Sequence, residues 1–370
     1  EIHERLVGSE MCIRDSISPV FYASPGVFIH QNKITKQQAE ISVESILSLK
    51  EIKSGLKLKT TITDVNGKEV TSNMTAVSEE SVKQPLTIID PILWNGRDNP
   101  YLYKVVNRLL KDNKIIDEEC ISIGIRNIAF SAENGFHLNG KSMKLKGGCI
   151  HHDNGPLGAK AFDRAEERKI ELLKAAGFNA LRLSHNPPST ALLNACDRLG
   201  MLVIDEAFDM WRQGHYKDDY GQYFDKLWKE DLYSMVARDR NHPCVIMWSI
   251  GNEVNEQSRT GGGKVAKFLQ DICHREDPTR PVTVGMDRPD HAMKNQFAAV
   301  LDVPGLNYRL HRYEESYKRM PQRMILGSET ASTISSRGVY KFPVEQTKGA
   351  MYEDAQCCSC LLYTSDAADD

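Results

Sequence analysis

The feature that most constrains the fold is a change of hydrophobic period near Asn139-Gly140-Lys141. Before this point, short segments such as Leu56 to Ile62 alternate apolar and polar residues and end at turns such as Asp64-Val65-Asn66-Gly67. Alternation interrupted by Asn-Gly turns predicts antiparallel strands. We assign these strands to a small β-sandwich over residues 17–130.

After this point, strands alternate with helices, which predicts a parallel sheet. Because polar residues collect at the C-terminal end of nearly every strand, a (β/α)8 barrel over residues 131–355 fits better than a doubly wound sheet. No eighth strand is predicted before the C-terminal tail, so the barrel is expected to lack its last strand. The seven predicted strands lie near Met143 to Gly148, Asn179 to Ser184, Met201 to Glu206, Cys244 to Ile250, Pro281 to Gly285, Leu301 to Asn307 and Arg323 to Ser328.

Two of the intervening helices carry recognisable end signals. Asp163 precedes one predicted helix that ends at Ala176, and Glu166 is expected on its solvent-facing side. Ser189 precedes the next helix and Gly200 follows it, which is typical of an N-cap and a C-terminal glycine.

Both ends of the chain look non-native. Residues 1–16 and 356–370 resemble translated sequencing adapter, so we expect a piece of a longer gene whose own N-terminus, and with it any localisation signal, is missing. The widely spaced cysteines, including two at the start of the second tail, predict buried free thiols, not disulfides or zinc ligands. They are Cys120, Cys149, Cys196, Cys244, Cys273, Cys357 and Cys358.

Charge and hydropathy exclude two classes of partner. A net charge of -3 without a concentrated basic block argues against nucleic acid. No stretch approaches the roughly 20 apolar residues of a membrane helix, so no membrane segment is predicted. The pattern does not predict an oligomeric state.

Two glutamates follow predicted barrel strands. Glu253 comes after the fourth strand and Glu329 after the seventh. Two carboxylates at one face can hydrolyse a glycoside, and retention of configuration requires them about 5 to 5.5 Å apart. The alternative for either glutamate alone is that it caps a helix or binds a neighbouring loop.

The other residues that follow the strands, here called the rim, are rich in hydrogen-bonding groups. Such a rim suits a polyhydroxylated ligand, so a carbohydrate is the expected partner. The rim residues are His151, His152, Asp153, Arg182, His185, Asp205, Glu206, Asn307 and Tyr308.

Metal binding and sugar stacking are the alternatives at the rim. His151, His152 and Asp153 are potential metal ligands, but adjacent side chains of an extended segment point in opposite directions, so we predict no metal site. Trp211 and Trp248 either stack on a sugar or belong to the core, and the core is favoured for Trp248.

Several long motifs, in order, resemble the glycoside hydrolase family 2. The resemblance covers residues of roughly 18 to 350 and includes an immunoglobulin-like domain before the barrel. The motifs are His151-His152-Asp153-Asn154-Gly155-Pro156-Leu157-Gly158, Arg182-Leu183-Ser184-His185-Asn186-Pro187, Asp205-Glu206-Ala207, Arg240-Asn241-His242-Pro243 and Trp248-Ser249-Ile250-Gly251-Asn252-Glu253.

The resemblance implies a role for each matching residue. Glu253 would be the general acid/base, Glu329 the nucleophile, and Asn252 a ligand of the sugar 2-hydroxyl. The remaining matches, His151, Arg182, His185 and Tyr308, would hold the sugar or orient the nucleophile. This chemistry requires a raised pKa at Glu253 and an ionised Glu329 beside a cation such as Arg182.

The resemblance also suggests the substrate. The segments around Glu253 and Glu329 are similar to the galactosidase branch, which implies a retaining exo-β-glycosidase for terminal β-D-galactosides without a cofactor. Phe208 to Arg212 depart from the magnesium-binding pattern of some members, so no magnesium is expected. The alternatives are a β-glucuronidase, a β-mannosidase, or an inactive fragment that only binds carbohydrate.

Overall fold

The computed structural model describes residues 15–50 and 55–330. Its first part is an antiparallel β-sandwich, as the alternating pattern predicts. One sheet has the order β2-β3-β6, with β1 paired to the end of β3, and the other has the order β5-β4-β7-β8. The strands are β1 Ser16–Ile17, β2 Val27–Ile34, β3 Gln38–Ser48, β4 Leu56–Thr63, β5 Glu69–Ala76, β6 Ser81–Ile89, β7 Tyr103–Lys111 and β8 Lys114–Ile123.

The sandwich core follows from side-chain alternation along the strands. Leu58 and Ile62 of β4 are fully buried, and they pack with Val105 and Leu109 of the neighbouring β7. The turn after β4 is stabilised by Asp64, whose Oδ1 accepts hydrogen bonds from two backbone amides, both at 2.9 Å.

A three-stranded antiparallel sheet connects the sandwich to the barrel. Its strands are β9 Ile128–Ser131, β10 Gly135–Leu138 and β11 Lys141–Ser142. The prediction that a barrel strand starts at Met143 is wrong. Met143 N donates to Phe136 O at 2.9 Å and so continues the β10–β11 pairing, and the barrel strand starts only at Gly147.

The second part is a parallel barrel, which confirms the predicted fold class. Within the described residues, seven strands pair in chain order. The first and the last lie side by side, since Cys149 Sγ is 3.4 Å from Ser328 O. The predicted absence of an eighth strand concerns residues after 330, outside the described part. The seven strands are β12 Gly147–Ile150, β13 Ala180–Leu183, β14 Leu202–Glu206, β15 Val245–Asn252, β16 Val282–Met286, β17 Gly305–Asn307 and β18 Leu326–Glu329.

The helices cover the outside of the barrel. None of those in the described residues combines the length and the apolar character that crossing a membrane takes. They are α1 Asp163–Ala175, α2 Thr190–Leu199, α3 Gly221–Asp239, α4 Gly262–Glu276, α5 Pro289–Lys294 and α6 Tyr313–Arg319.

The predicted ends of α2 are confirmed, and α1 ends with Ala176 at its C-cap as predicted, but the N-cap predicted for α1 is wrong. Ser189 Oγ accepts from Leu192 N at 3.2 Å, and Gly200 ends α2 in the left-handed conformation with φ 79°. Asp163 lies inside α1 and does not cap it. The prediction of a solvated Glu166 is also wrong, because the loop before α1 covers it and Asn154 Nδ2 donates to its Oε1 at 2.7 Å.

The sandwich packs against the N-terminal end of the barrel. Arg126 is buried and donates to Pro243 O and Val245 O, both at 2.6 Å, at the start of β15. Trp94 Nε1 donates to Asp197 O of α2 at 2.9 Å. The opposite, C-terminal end of the barrel therefore stays clear of these sandwich contacts.

Tryptophans and cysteines partly follow the predictions. Trp248 is fully buried, as favoured, and its Nε1 donates to Asp277 Oδ2 at 3.0 Å. Trp211 is equally buried, so neither ring is open to a ligand in this conformation.

The described cysteines are all free, but they are not all buried. Cys120 is exposed because it lies on the outer face of β8, and Cys149 is only partly buried. Cys357 and Cys358 lie outside the described residues.

Candidate active site

The two predicted catalytic glutamates lie at the same end of the barrel. Glu253 directly follows β15, and its backbone N donates to Gly285 O of β16 at 2.7 Å. Glu329 is the last residue of β18 and is in register with Asn307 of β17. Parallel pairing thus brings both carboxyl groups to the C-terminal rim.

Arg182 connects the groups of this rim. Its Nη1 donates to Glu329 Oε1 at 2.7 Å, and its Nη2 donates to Asn252 Oδ1 at 2.9 Å. Its Nε and Nη2 also donate to Glu206 Oε2, at 3.0 and 2.7 Å. With the Arg182 side chain only 3% exposed, these charge-assisted contacts are largely shielded from solvent.

Glu206 is the fully buried partner that holds Arg182 and His185 in place. His185 Nδ1 donates to Glu206 Oε1 at 2.6 Å, and Ser249 Oγ donates to Glu206 Oε2 at 2.5 Å. Burial alone would raise the pKa of Glu206, but the charge of Arg182 and the bond from His185 outweigh burial and lower it. Because this carboxylate accepts from Nδ1, the proton of a neutral His185 is on Nδ1, and Nε2 faces Glu329 Oε1 at 3.8 Å.

Asn307 links the acid/base candidate to the rest of the network. Its Nδ2 donates to Glu253 Oε1 and to Asn252 Oδ1, both at 2.9 Å. Ser328 Oγ donates to Asn307 Oδ1 at 2.7 Å, so the amide oxygen also has a partner. Hydrogen bonds through Asn307, Asn252 and Arg182 therefore connect Glu253 to Glu329.

Glu253 has an environment that favours its protonated form. Burial raises its pKa, and the charges of Asp287 and Glu329 raise it further, whereas the bond from Asn307 opposes them. Its backbone is in the left-handed region with φ 46°, which is uncommon for a residue with a side chain.

Gly285 leaves room for this network. A Cβ there would lie 2.8 Å from Arg182 Nη2 and from Asn307 Oδ1, and 3.2 Å from Asn252 Oδ1. A position inside a parallel strand that faces three polar side chains this closely requires a residue without a side chain.

The remaining predicted residues border the same rim. The His151 ring contacts the His185 ring edge to face, with centroids 5.1 Å apart. Burial lowers the pKa of His151, and the neighbouring His185 lowers it further. Tyr308 meets Glu329 through the backbone, because its N donates to Glu329 O.

Three residues of this hydrogen-bond network were not among the predicted site residues. Glu206 and Asn307 are described above, and Asp209 Oδ1 accepts from Asn252 Nδ2 at 3.2 Å. Their positions after strands placed the first two on the predicted rim. No local pattern distinguished them from residues that end a strand without a role.

The metal alternative receives no support from side-chain clustering. Within the described residues, only one group of three histidine, cysteine or carboxylate side chains has its ligand atoms within 4.8 Å of one another: Asp197, His242 and Cys244. It lies at the opposite end of the barrel, at the start of β15. His151, His152 and Asp153 do not form such a group.

Comparison with known families identifies the chain. The family profile described as "Glycosyl hydrolases family 2, TIM barrel domain" matches residues 131–364, and the profile "Glycosyl hydrolases family 2" matches residues 25–126. The chain belongs to glycoside hydrolase family 2. Its fold and its membership of the glycoside hydrolases are thereby established.

Curated family 2 relatives carry two activity names. The chain is 33% identical over 365 residues to the β-galactosidase BoGH2A of Bacteroides ovatus, an alignment that covers 89% of this chain and 43% of that protein. It is 32% identical to a β-glucuronidase of Bacteroides fragilis, which covers 75% of this chain and 40% of the relative. The chain therefore spans less than half the length of these relatives, and they support a family 2 β-glycosidase.

Solved structures of family 2 members have the same architecture. A member from Bacteroides cellulosilyticus is 61% identical with a TM-score of 0.77, covering 81% of this chain and 39% of that one. A β-glycosidase from Bacteroides vulgatus is 35% identical with a TM-score of 0.73, covering 83% of this chain and 38% of that one.

Proposed function

We propose that the chain is a retaining exo-β-glycosidase that acts on terminal β-D-galactosides, with Glu329 as nucleophile and Glu253 as general acid/base. One observation carries the proposal. Two rim carboxyl groups have opposite environments: Glu329 is paired with Arg182 at 2.7 Å, whereas Glu253 has a raised pKa. This difference between the two environments supports Glu253 as the acid and Glu329 as the nucleophile of one site.

The first step transfers the sugar to the enzyme. A Glu329 oxygen attacks the anomeric carbon, and the bond to the glycosidic oxygen breaks while Glu253 gives its proton to that oxygen. Charge at Glu329 falls as the ester forms, and Arg182 keeps the carboxylate oriented for attack until then. Asn252, held by Arg182, Asn307 and Asp209, is positioned to bind the 2-hydroxyl.

The second step releases the sugar. Glu253, now a carboxylate, takes a proton from water, whose oxygen attacks the anomeric carbon, and the bond to Glu329 breaks. His151, His185 and Tyr308 border the space where the sugar would lie. Each displacement inverts the anomeric carbon, so the two together retain the β configuration.

Galactose is proposed as the sugar on two grounds. The segments around both glutamates resemble the galactosidase branch, and a relative aligned over 89% of the chain is named a β-galactosidase. Because another relative is named a β-glucuronidase, a glucuronide is the second candidate.

The test is a panel of nitrophenyl β-glycosides hydrolysed by the chain. We expect the galactoside to be cleaved faster than the glucuronide and the mannoside, with the β-anomer as the first product seen by NMR. Equal or faster cleavage of another sugar overturns the galactoside assignment, and a first-formed α-anomer overturns retention. No cleavage of any member favours a fragment that only binds carbohydrate.

Variants assign the two roles. With azide present, Glu253→Ala should yield the β-glycosyl azide, because azide attacks the covalent intermediate from the face left open. Glu329→Ala should yield the α-azide, because azide then takes the place of the nucleophile. Glu256→Gln is the matched control, since this neighbouring carboxylate accepts from Gln213 N and has no bond to the network. Interchanged azide products would reverse the assignment.

A further inference from the structure

A cavity of about 340 Å³ opens at the C-terminal ends of β16 and β17. Its charged lining consists of Arg288, Arg309 and Arg312 against Asp287 and Asp290, together with two histidines. With the histidines neutral, three arginines against two aspartates leave one positive charge in excess. The whole chain, by contrast, has a net charge of -3.

The cavity lies on the side of the leaving group. Asp287 lines it and comes two residues after Gly285, whose O accepts from Glu253 N at 2.7 Å. The charge of Asp287 also raises the pKa of Glu253. A general acid stands next to the oxygen that departs with the aglycone. A cavity adjacent to Glu253 is therefore next to the aglycone, on the assumption that the proposed acid role is correct.

The three arginines differ in how far they are already paired. Arg288 Nε is 3.3 Å from Asp287 Oδ2, and Arg312 pairs with Asp290 and, at 3.0 Å, with Glu315. Arg309 is exposed and forms no ion pair with any residue of the described part of the chain. Its backbone has φ 57°, directly after Tyr308 at φ 56°, so this turn leaves the strand next to the site.

We infer that this cavity binds an anionic group, a carboxylate or a sulfate, on the aglycone of the substrate, with Arg309 as its principal contact. The inference rests on the proposed function for the position of the aglycone. A guanidinium matches both groups because it can donate two parallel hydrogen bonds to two oxygens of one anion. The substrate class would then be a β-glycoside of an acidic sugar.

The test is equilibrium binding by calorimetry of slowly hydrolysed thioglycosides. Three probes share a phenyl aglycone that carries a 3-carboxylate, a 3-sulfate or a neutral 3-carboxamide, and each is made with galactose and with glucuronic acid. We expect an anionic probe to bind about fivefold more tightly than the carboxamide at low ionic strength, which is the upper range for an exposed ion pair. The preference should vanish at about 0.5 M salt because of screening.

Arg309→Gln should abolish the preference and leave binding of the carboxamide unchanged. Glutamine, like arginine, has a Cβ, so the left-handed backbone at position 309 costs the same free energy in the variant as in the original chain. Lys318→Gln is the control: it removes an exposed charge from α6, paired with Glu314, outside the cavity. It should leave the preference intact.

The outcomes separate this inference from the proposed function. Equal affinities for the three probes, a preference that persists in Arg309→Gln, or no binding of any probe overturns the inference. A preference for only one of the two anions supports it and identifies the group. Turnover of the nitrophenyl glycosides, measured separately, tests the proposed function whatever the binding result.

Discussion

Replacing Asn307 by leucine should move the pH profile of the enzyme in a direction that follows from one contact. Asn307 Nδ2 donates to Glu253 Oε1 at 2.9 Å, and this bond lowers the pKa of Glu253 against the effect of burial. Leucine has nearly the same size and donates no hydrogen bond. Its introduction should therefore raise the pKa of Glu253 further.

The magnitude follows from the charge of the acceptor. A hydrogen bond to a charged group contributes about 1.5–3 kcal/mol and one to a neutral group about 0.5–1.5 kcal/mol. Since Glu253 accepts in both protonation states, only the difference, about 1–1.5 kcal/mol, affects the equilibrium. That is about one pKa unit.

The assay is kcat/KM of an aryl β-galactoside as a function of pH. Glu253 must be protonated to act as the proposed acid, so activity should fall as pH rises through its pKa, and the basic limb should move up by about one pH unit. The maximum should fall by no more than about tenfold, because Arg182 still holds Asn252 at 2.9 Å.

Ser328→Ala is the control for a merely structural effect. It removes the bond to Asn307 Oδ1 but leaves the contact between Asn307 and Glu253 in place. Its basic limb should stay within the error of the unchanged chain. A limb that does not move in Asn307→Leu, or that moves down, would refute the assignment of Glu253 as the acid held by Asn307.

Two further substitutions test buried charges, each followed by urea unfolding. Arg182→Met should lower the free energy of unfolding by about 3–5 kcal/mol, because Glu206 would be left buried without its cation; a loss below about 1 kcal/mol would contradict this. Asp205 has both oxygens buried without a donor, and burial beside Asp239 raises its pKa well above the ordinary value. A raised pKa in the folded state means stability that is present at acid pH and declines by about 1.4 kcal/mol per pH unit above the ordinary pKa of an aspartate. Asp205→Asn should remove this decline and be the more stable form at neutral pH, whereas parallel pH curves for the two proteins would count against the argument.

Asp205 also shows why a buried pair of like groups cannot be recognised in sequence. Its oxygens lack a donor, yet Asp239 faces them, and two carboxyl groups share a hydrogen bond only when one of them is protonated. Burial and the charge of Asp239 therefore both favour the protonated form of Asp205. Neither residue has an unusual local pattern.

Local patterns in the sequence were enough to predict the order of the two parts and the end of the barrel where the candidate site lies. Alternation of period two before Asn139 and strand–helix alternation after it are local properties, because each residue's side depends on its own segment. The placement of Glu253 and Glu329 followed for the same reason, since a residue that follows a parallel strand lies at the rim. Local end signals were less dependable: Ser189 caps its helix, but Asp163 does not.

Which rim residues contact one another became evident only from the folded chain. Arg182 and Glu329 are 147 residues apart and Asn307 and Glu253 are 54 apart, and no periodic pattern spans such separations. Whether a given side chain is buried also depends on contacts with other segments. Glu166 is covered by the loop before its helix and Cys120 is left exposed at an outer face, although each segment alone suggests the opposite. Side-chain environment depends on what packs from elsewhere in the chain, so it emerges only when the barrel and the sandwich are assembled.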